Sequence, residues 1–330
     1  MSAVATARAV RLHAAGGTEG FRVEELPVPA PGPGEILIRQ TVAGLNFLDI
    51  YHRRGLYPLP ALPTVIGAEA AGVIEAVGPE VMGLAPGDRI AWAGAPYGGY
   101  ATHRLLPAWR ALKLPDAVGD DMAAASLLRA LTVEMLFTRV RPMQPGETVV
   151  VHAAAGGIGR MAIAHGRRLG LRMIGIAGGA EKAALARAAG ADLVIDRRAE
   201  DPVAAVQAAT DGGAHLVIDG IGGDMLARSF GMARRFGMVA SLGEAAGRIP
   251  PISVYDLGPA RSIALARPSV IGFISDAETY RSAGAAVIAR MAEGLIVPTG
   301  GRLPLDRIAE AHDRLESGAG TGALLLDTGA

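Results

Sequence analysis

From about Asp120 to Gly243, short apolar runs alternate with Ala-rich stretches whose apolar residues recur at helical spacing. The pattern predicts a strand at TVVV (148–151), then a helix through Arg168 that Gly170 ends. A strand at 171–177, a helix at 181–189 and a strand at 192–196 follow. A helix at 202–210, a strand at 215–219, a helix at 224–233 and a strand at 237–243 complete the run. Strands recurring every 20–25 residues or so, with helices between them, imply right-handed crossovers and a parallel sheet. Upstream the texture is β-rich and turn-rich, with candidate strands at Glu35–Val42, Ala70–Val77 and Asp88–Ala93. Pro27, Pro29, Pro31, Pro33 and the Pro86–Gly87 turn punctuate that region. Helices at Thr279–Ala292 and Leu305–Leu315 and a strand at Ala323–Leu326 close the chain. So short a tail cannot build its own core, so it is expected to pack on the first domain.

The reading is therefore an α/β protein. A Rossmann doubly wound parallel sheet at 125–268 is inserted between the two parts, 1–124 and 269–330, of a β-rich domain. The length of 330 residues fits two domains. Charged residues make up 19% of the chain, and Lys+Arg and Asp+Glu balance at 32 each. No net field recruits nucleic acid or an anionic membrane. There is no cysteine, hence no disulfide, thiolate nucleophile or Cys-ligated zinc. With no apolar h-region and no long apolar span, a cytoplasmic protein is expected.

The chemistry begins at TVVVHAAAGGIG, 148–159, where an apolar run empties into small residues ahead of a helix. Read against the dinucleotide fingerprint, the three small positions are Ala154, Gly156 and Gly159. Gly156 lets backbone approach a pyrophosphate, and Gly159 lets the helix pack close on the strand. The N–H groups of the helix start, at Gly157 and Ile158, face the negative charge.

A family likeness runs over nearly the whole chain. It is carried by GLNFLDIYHRRGLYP (44–58), LPTVIGAEAAGVIEAVG (62–78), GDRIAW (87–92) and GGYATH (98–103). AAASLLRALTVEML (123–136), HAAAGGIG (152–159) and ARPSVIGF (266–273) extend it. The sequence resembles the zinc-free quinone oxidoreductases (zeta-crystallin-like) of the medium-chain dehydrogenase/reductase superfamily. The resemblance implies that the β-rich domain is GroES-like and catalytic, and that the protein is a dimer or tetramer, a homodimer being expected. Zinc relatives place a Cys within the segment matching Asn46–Asp49 and a His before the matching glutamate. Here those places read Asn46 and Ala68–Glu69, so no catalytic metal is expected.

NADPH is the expected cofactor. An NAD site usually has a carboxylate about 20 residues past the glycines. This chain offers Ala177, Gly178 and Gly179 there, then Lys182 and Arg197. Cations at those places suit a 2′-phosphate. Lys182 is one of only two lysines against thirty arginines. The resemblance assigns it to the 2′-phosphate, though relatives often carry Tyr or His at 197. A further basic residue of the family is replaced by Gly318. By position, Thr132 is expected near the nicotinamide, and Leu242, Gly243 and Ser269 match places where the family lines that half of the cofactor.

Without metal or thiol, the chemistry belongs mostly to the cofactor. The expected reaction is hydride transfer to a quinone or another electron-poor carbonyl acceptor such as an enone. Asn46, Tyr51 and Tyr57 are the candidates to face it. Asn46 offers both a donor and an acceptor to the nicotinamide ribose or amide. Tyr51 and Tyr57 stack on a flat ring or donate a phenolic hydrogen bond; a phenol of pKa about 10 is a feasible proton donor and a poor base. Water is an equal proton source, and Asp49 is expected to fix the loop. Glu69 is expected to act structurally. An enone or enoyl-thioester reductase is the rival within enzymes. An NADPH-responsive RNA-binding or structural protein is the rival outside them, disfavoured by the neutral charge balance.

Overall fold

β-branched and apolar residues at alternating or continuous positions set the strands, and Gly and Pro set the breaks between them. A computed structural model describes residues 3–318 and 320–329. The chain opens with β1 (Ala3–Leu12), β2 (Phe21–Pro29) and β3 (Glu35–Gly44), then helix α1 (Phe47–Arg53). Next come β4 (Thr64–Val65), β5 (Glu69–Val77), β6 (Arg89–Ala93), β7 (His103–Pro107) and β8 (Leu112–Lys113). Helix α2 (Asp120–Met135) leads to β9 (Thr148–Val151), α3 (Gly157–Arg168), β10 (Arg172–Ala177) and α4 (Ala180–Ala188). The run continues through β11 (Leu193–Asp196), α5 (Pro202–Ala209), β12 (Ala214–Asp219), α6 (Met225–Ser229), β13 (Ala233–Ser241) and β14 (Ala264–Ala266). Helices α7 (Val270–Phe273) and α8 (Ala277–Ala292), β15 (Thr299–Pro304), α9 (Ile308–Glu316) and β16 (Ala323–Asp327) finish it.

Two compact units emerge. One holds the chain up to Leu131 and again from Phe273, and the other holds Thr132–Gly272. The exchange points lie inside α2 and at α7, a few residues beyond the composition change at 124/125 and at 268/269. A continuous helix hides from composition the point at which its neighbours change. Ser269 accordingly lies in the second unit.

In the second unit the six strands run β11-β10-β9-β12-β13-β14, all parallel. Numbered within the unit, this is the order 3-2-1-4-5-6 of a doubly wound nucleotide fold, with its switch point between β9 and β12. In the first unit a sheet runs β15-β16-β3-β5-β6-β8 with β7 also on β3, beside a smaller sheet β2-β1-β4. Its core gathers Ile36, Ile38, Ile74, Ile90, Trp92 and Leu106, all buried. Each such side chain contributes about 1.5–3 kcal/mol when withdrawn from water. The buried Trp92 indole donates to Gln40 Oε1 at 3.0 Å, and Gln40 Nε2 donates to the Ala101 carbonyl at 2.6 Å.

Two departures from the hydrophobic pattern have physical causes. Strand β2 contains Pro27 and Pro29, which read as breakers; it lies at a sheet edge, where a missing N–H removes no ladder bond. The segment 224–233 reads as one helix, but α6 stops at Ser229 and a 3₁₀ turn, Phe230–Met232, leads straight into β13. That strand then bulges. Ala214 pairs Ala233 while Leu216 pairs Met238, and Phe236 takes a φ of 59°. Among the described residues no helix is long and apolar enough to cross a membrane.

Candidate active site

In the second unit the C-terminal end of β9 turns through Ala153, whose φ of 48° is unusual for a residue with a Cβ. The Ala154 N–H reaches back to the Ile176 carbonyl at 3.0 Å, which ties the turn to β10. Gly156 is the N-cap of α3 and offers no side-chain cap to the first-turn amides of Gly157 and Ile158. The glycines divide the labour. A Cβ on Gly159 would lie 2.5 Å from the Ala153 carbonyl oxygen and 2.8 Å from Ala154 Cα, so this position is filled by the protein's own backbone. At Gly156 the nearest atom to an added Cβ is the Ala153 oxygen at 3.1 Å. Gly156 is exposed, and the space it leaves faces outward. An uncapped helix start with open backbone in front of it suits an anionic phosphate.

The next strand ends carry the charge. Arg197 follows β11, and its guanidinium lies over Gly178: a Cβ there would come within 3.2 Å of Nε and Nη2. Arg198, which the sequence reading passed over, does the same at Gly179, with Nη1 3.1 Å from the added Cβ. Lys182 is exposed in the first turn of α4. A carboxylate is also present, since Asp196 pairs laterally with Ala177. Its Oδ1 accepts the Gly179 N–H at 2.9 Å and the Arg198 N–H at 3.0 Å, bonds that hold its pKa below the ordinary value. The charge is thus committed to shaping the turn, and cations surround it.

At the exits of β13 and β14, Leu242 is half-buried and Gly243 buried. Arg267 joins these exits through Ser241 Oγ at 2.8 Å and Glu244 Oε1 at 2.8 Å. Ser269 is exposed and accepts the Gly272 N–H at 3.2 Å, capping α7. Thr132 is buried on α2.

In the first unit Asn46 is the N-cap of α1 and is buried. Its N–H donates to Asp49 Oδ2 at 2.9 Å, and its Nδ2 donates to Glu69 Oε1 at 2.8 Å. Glu69 also accepts the Leu128 N–H at 2.7 Å and the Arg129 guanidinium at 3.1 Å. Arg129 in turn bonds the Leu45 and Ala125 carbonyls, anchoring the strand end that leads into Asn46. Burial pushes the Glu69 carboxyl up, against Arg129, the Leu128 amide and Asn46. Asp49 is fully buried, and loss of hydration pushes its pKa up to about 7, against the Asn46 amide and the Tyr100 phenol.

Tyr51 is buried one turn along α1, and half-buried Tyr57 packs against it with ring centroids 5.1 Å apart. Phe47 extends this group, 6.3 Å from Tyr51 and 37% exposed. The three rings make a tilted aromatic cluster along α1, the helix that Asn46 caps. Phe47 was legible as the partner of Tyr51 at i, i+4 on one helix face. Arg129 carried no local signal, because its partner Glu69 is sixty residues away.

The segment 32–116 matches the alcohol dehydrogenase GroES-like domain, and 157–290 matches the zinc-binding dehydrogenase family. Quinone oxidoreductase 1 of Escherichia coli (strain K12) is 36% identical over 321 residues, covering 96% of this chain and 98% of its own. A 2-haloacrylate reductase of Burkholderia sp is 35% identical over 324 residues, covering 96% and 97%. The crystal structure of Escherichia coli quinone oxidoreductase complexed with NADPH superposes with a TM-score of 0.93 at 35% identity, covering 98% and 100%.

A zinc ion does not fit the donors around Asn46. The chain has no thiolate, and the Glu69 oxygens are taken by a guanidinium, a backbone amide and Asn46. A cation there would face Arg129. Among the described residues no group of three or more His, Asp or Glu is placed to hold a metal. The full-length identity, the two matched domains and this donor set place the chain in the zeta-crystallin-like quinone oxidoreductase family of the medium-chain dehydrogenase/reductase superfamily.

Proposed function

We propose that this oxidoreductase reduces quinones with NADPH. The observation that carries the choice of cofactor is the cation cluster at the ends of β10 and β11. Arg197 and Arg198 lie over Gly178 and Gly179, with Lys182 in the helix that follows. Guanidinium groups hold a phosphate by paired, charge-assisted hydrogen bonds. The α3 amides at Gly157 and Ile158, opened by Gly156, would hold the pyrophosphate. Thr132, Leu242, Gly243 and Ser269 are assigned to the nicotinamide half. NADPH, when bound, supplies a hydride from the nicotinamide C4. One hydride and one proton convert a quinone to its hydroquinone and leave NADP⁺.

The chain's own share is orientation. Asn46 has one Nδ2 hydrogen committed to Glu69, and its remaining amide capacity is assigned to the nicotinamide or its ribose. Tyr51 and Tyr57 are assigned to the flat acceptor, by stacking or by phenolic hydrogen bonding, with a phenol or water giving the proton. A second acceptor class is an electron-poor C=C conjugated to a carbonyl. The 2-haloacrylate reductase among the relatives favours it.

The same reading makes the protein a cytoplasmic homodimer joined along β14. This strand ends the six-strand order, and Phe236, Val254 and Tyr255 in the same unit are each more than three-quarters exposed. A panel of 1,4-benzoquinone, 9,10-phenanthrenequinone and crotonyl-CoA, each with NADPH and NADH in parallel, tests the activity. Turnover of the quinones with NADPH is expected; turnover of crotonyl-CoA alone would move the assignment to the enoyl-thioester class.

A further inference from the structure

The loops that leave β9, β12 and β13 follow strands that are neighbours in the sheet. One residue bonds two of them directly and meets the third through a serine. Asp219, the last residue of β12, is fully buried. Its carbonyl accepts the Leu242 N–H, just past β13, at 2.7 Å. Its Oδ1 accepts the Ile221 and Gly222 amides at 2.8 and 3.0 Å. Its Oδ2 accepts the hydroxyl of buried Ser229 at 2.7 Å.

The chain of bonds goes one step further. Ser229 Oγ lies 3.0 Å from Nε2 of His152, the residue that follows β9 and precedes the Ala153 turn. The serine has a single proton. Its contact with the Met225 carbonyl is 3.2 Å, so the shorter, charge-assisted bond to Asp219 takes that proton. Ser229 must then accept from His152, which fixes the imidazole with hydrogen on Nε2. Burial lowers the imidazole pKa, against the Asp219 charge and with the help of Arg197 and Arg228. The neutral ring is further pinned by its backbone, whose N–H donates to the Ile218 carbonyl at 3.0 Å.

A buried carboxylate is costly, and an apolar side chain would fill the same volume at less cost. Among the described residues Asp219 makes no salt bridge, and its oxygens are spent on loop amides and Ser229. That arrangement fits positioning rather than packing. We infer that Asp219, Ser229 and His152 form a positioning hub that sets the loops around the pyrophosphate and nicotinamide of bound NADPH. The inference rests on the NADPH reading above. The residues assigned to the 2′-phosphate, Gly178, Gly179, Lys182 and Arg197, follow β10 and β11 instead.

The test compares NADPH with 2′-AMP, which carries the adenosine and its 2′-phosphate without the pyrophosphate or nicotinamide. Binding of each, and thermal unfolding, are measured for wild type, Ser229→Ala, His152→Leu and His152→Gln. Ser229→Ala and His152→Leu are expected to weaken NADPH about tenfold while 2′-AMP stays within about twofold. His152→Gln keeps an N–H near the Nε2 position and is expected to restore NADPH binding to within about threefold. Unchanged NADPH binding in both removal variants overturns the inference, as does equal loss of both ligands, the mark of general loosening. Should one removal variant not fold, the other decides against His152→Gln. A wild-type protein that binds neither ligand overturns the NADPH reading instead.

Discussion

Asp49 shows how one residue ties the site to stability. Its folded pKa of about 7 lies above the ordinary value of 3.8, so the folded protein holds a proton that the unfolded chain releases. Unfolding therefore becomes easier as pH rises from about 4 to 7, and the penalty is complete above that window. His52 and His312, whose pKa values burial lowers to about 4 and about 3, act in the opposite sense below their ordinary value. Comparing Asp49→Asn with wild type cancels them. The variant is expected to melt close to wild type at pH 4 and about 5 °C higher at pH 8. A constant difference across that range would remove the assignment. The glycines give a second contrast. Gly159→Ala is expected to cost about 3 kcal/mol in denaturant unfolding, because backbone occupies the space. Gly156→Val is expected to stay folded and to lose NADPH, read by nucleotide titration. The glycine spacing made the close packing at Gly159 readable in the sequence. The buried ties of Asn46 were not, because they run to Glu69 and, beyond it, to Arg129.

At the scale of elements, cofactor preference is assigned to the β10–α4 turn and the end of β11. Lys182→Ala and Arg197→Ala are each expected to raise the NADPH KM about tenfold or more and to leave the NADH KM unchanged. Arg198→Ala should act in the same direction, since its guanidinium covers Gly179. Steady-state kinetics with both nucleotides check this; an unaltered NADPH/NADH ratio in all three would refute it. The βα rhythm was legible because fully buried parallel strands leave short apolar runs between helices. Asp196 was less so. The sequence separates it from Ala177, but parallel pairing brings them side by side, and only the fold shows its carboxylate already used by two amides. Prolines hid β2 for a similar reason, since edge position is a property of the sheet and not of the segment.

For the whole molecule, the chain folds as a unit that is left at Thr132 and rejoined at Phe273. The tail's return was readable from its shortness, whereas the exchange point inside α2 was not. Because the Asn46 region lacks a donor set for zinc, prolonged dialysis against a strong chelator is expected to leave turnover unchanged. The most direct measurement is the initial rate of reduced-nicotinamide absorbance loss with 1,4-benzoquinone, using NADPH and NADH side by side on chelator-treated protein. The expected result is rapid oxidation of NADPH, with kcat/KM at least about tenfold above that for NADH. No absorbance loss with any quinone, or equal rates with the two nucleotides, would contradict the account.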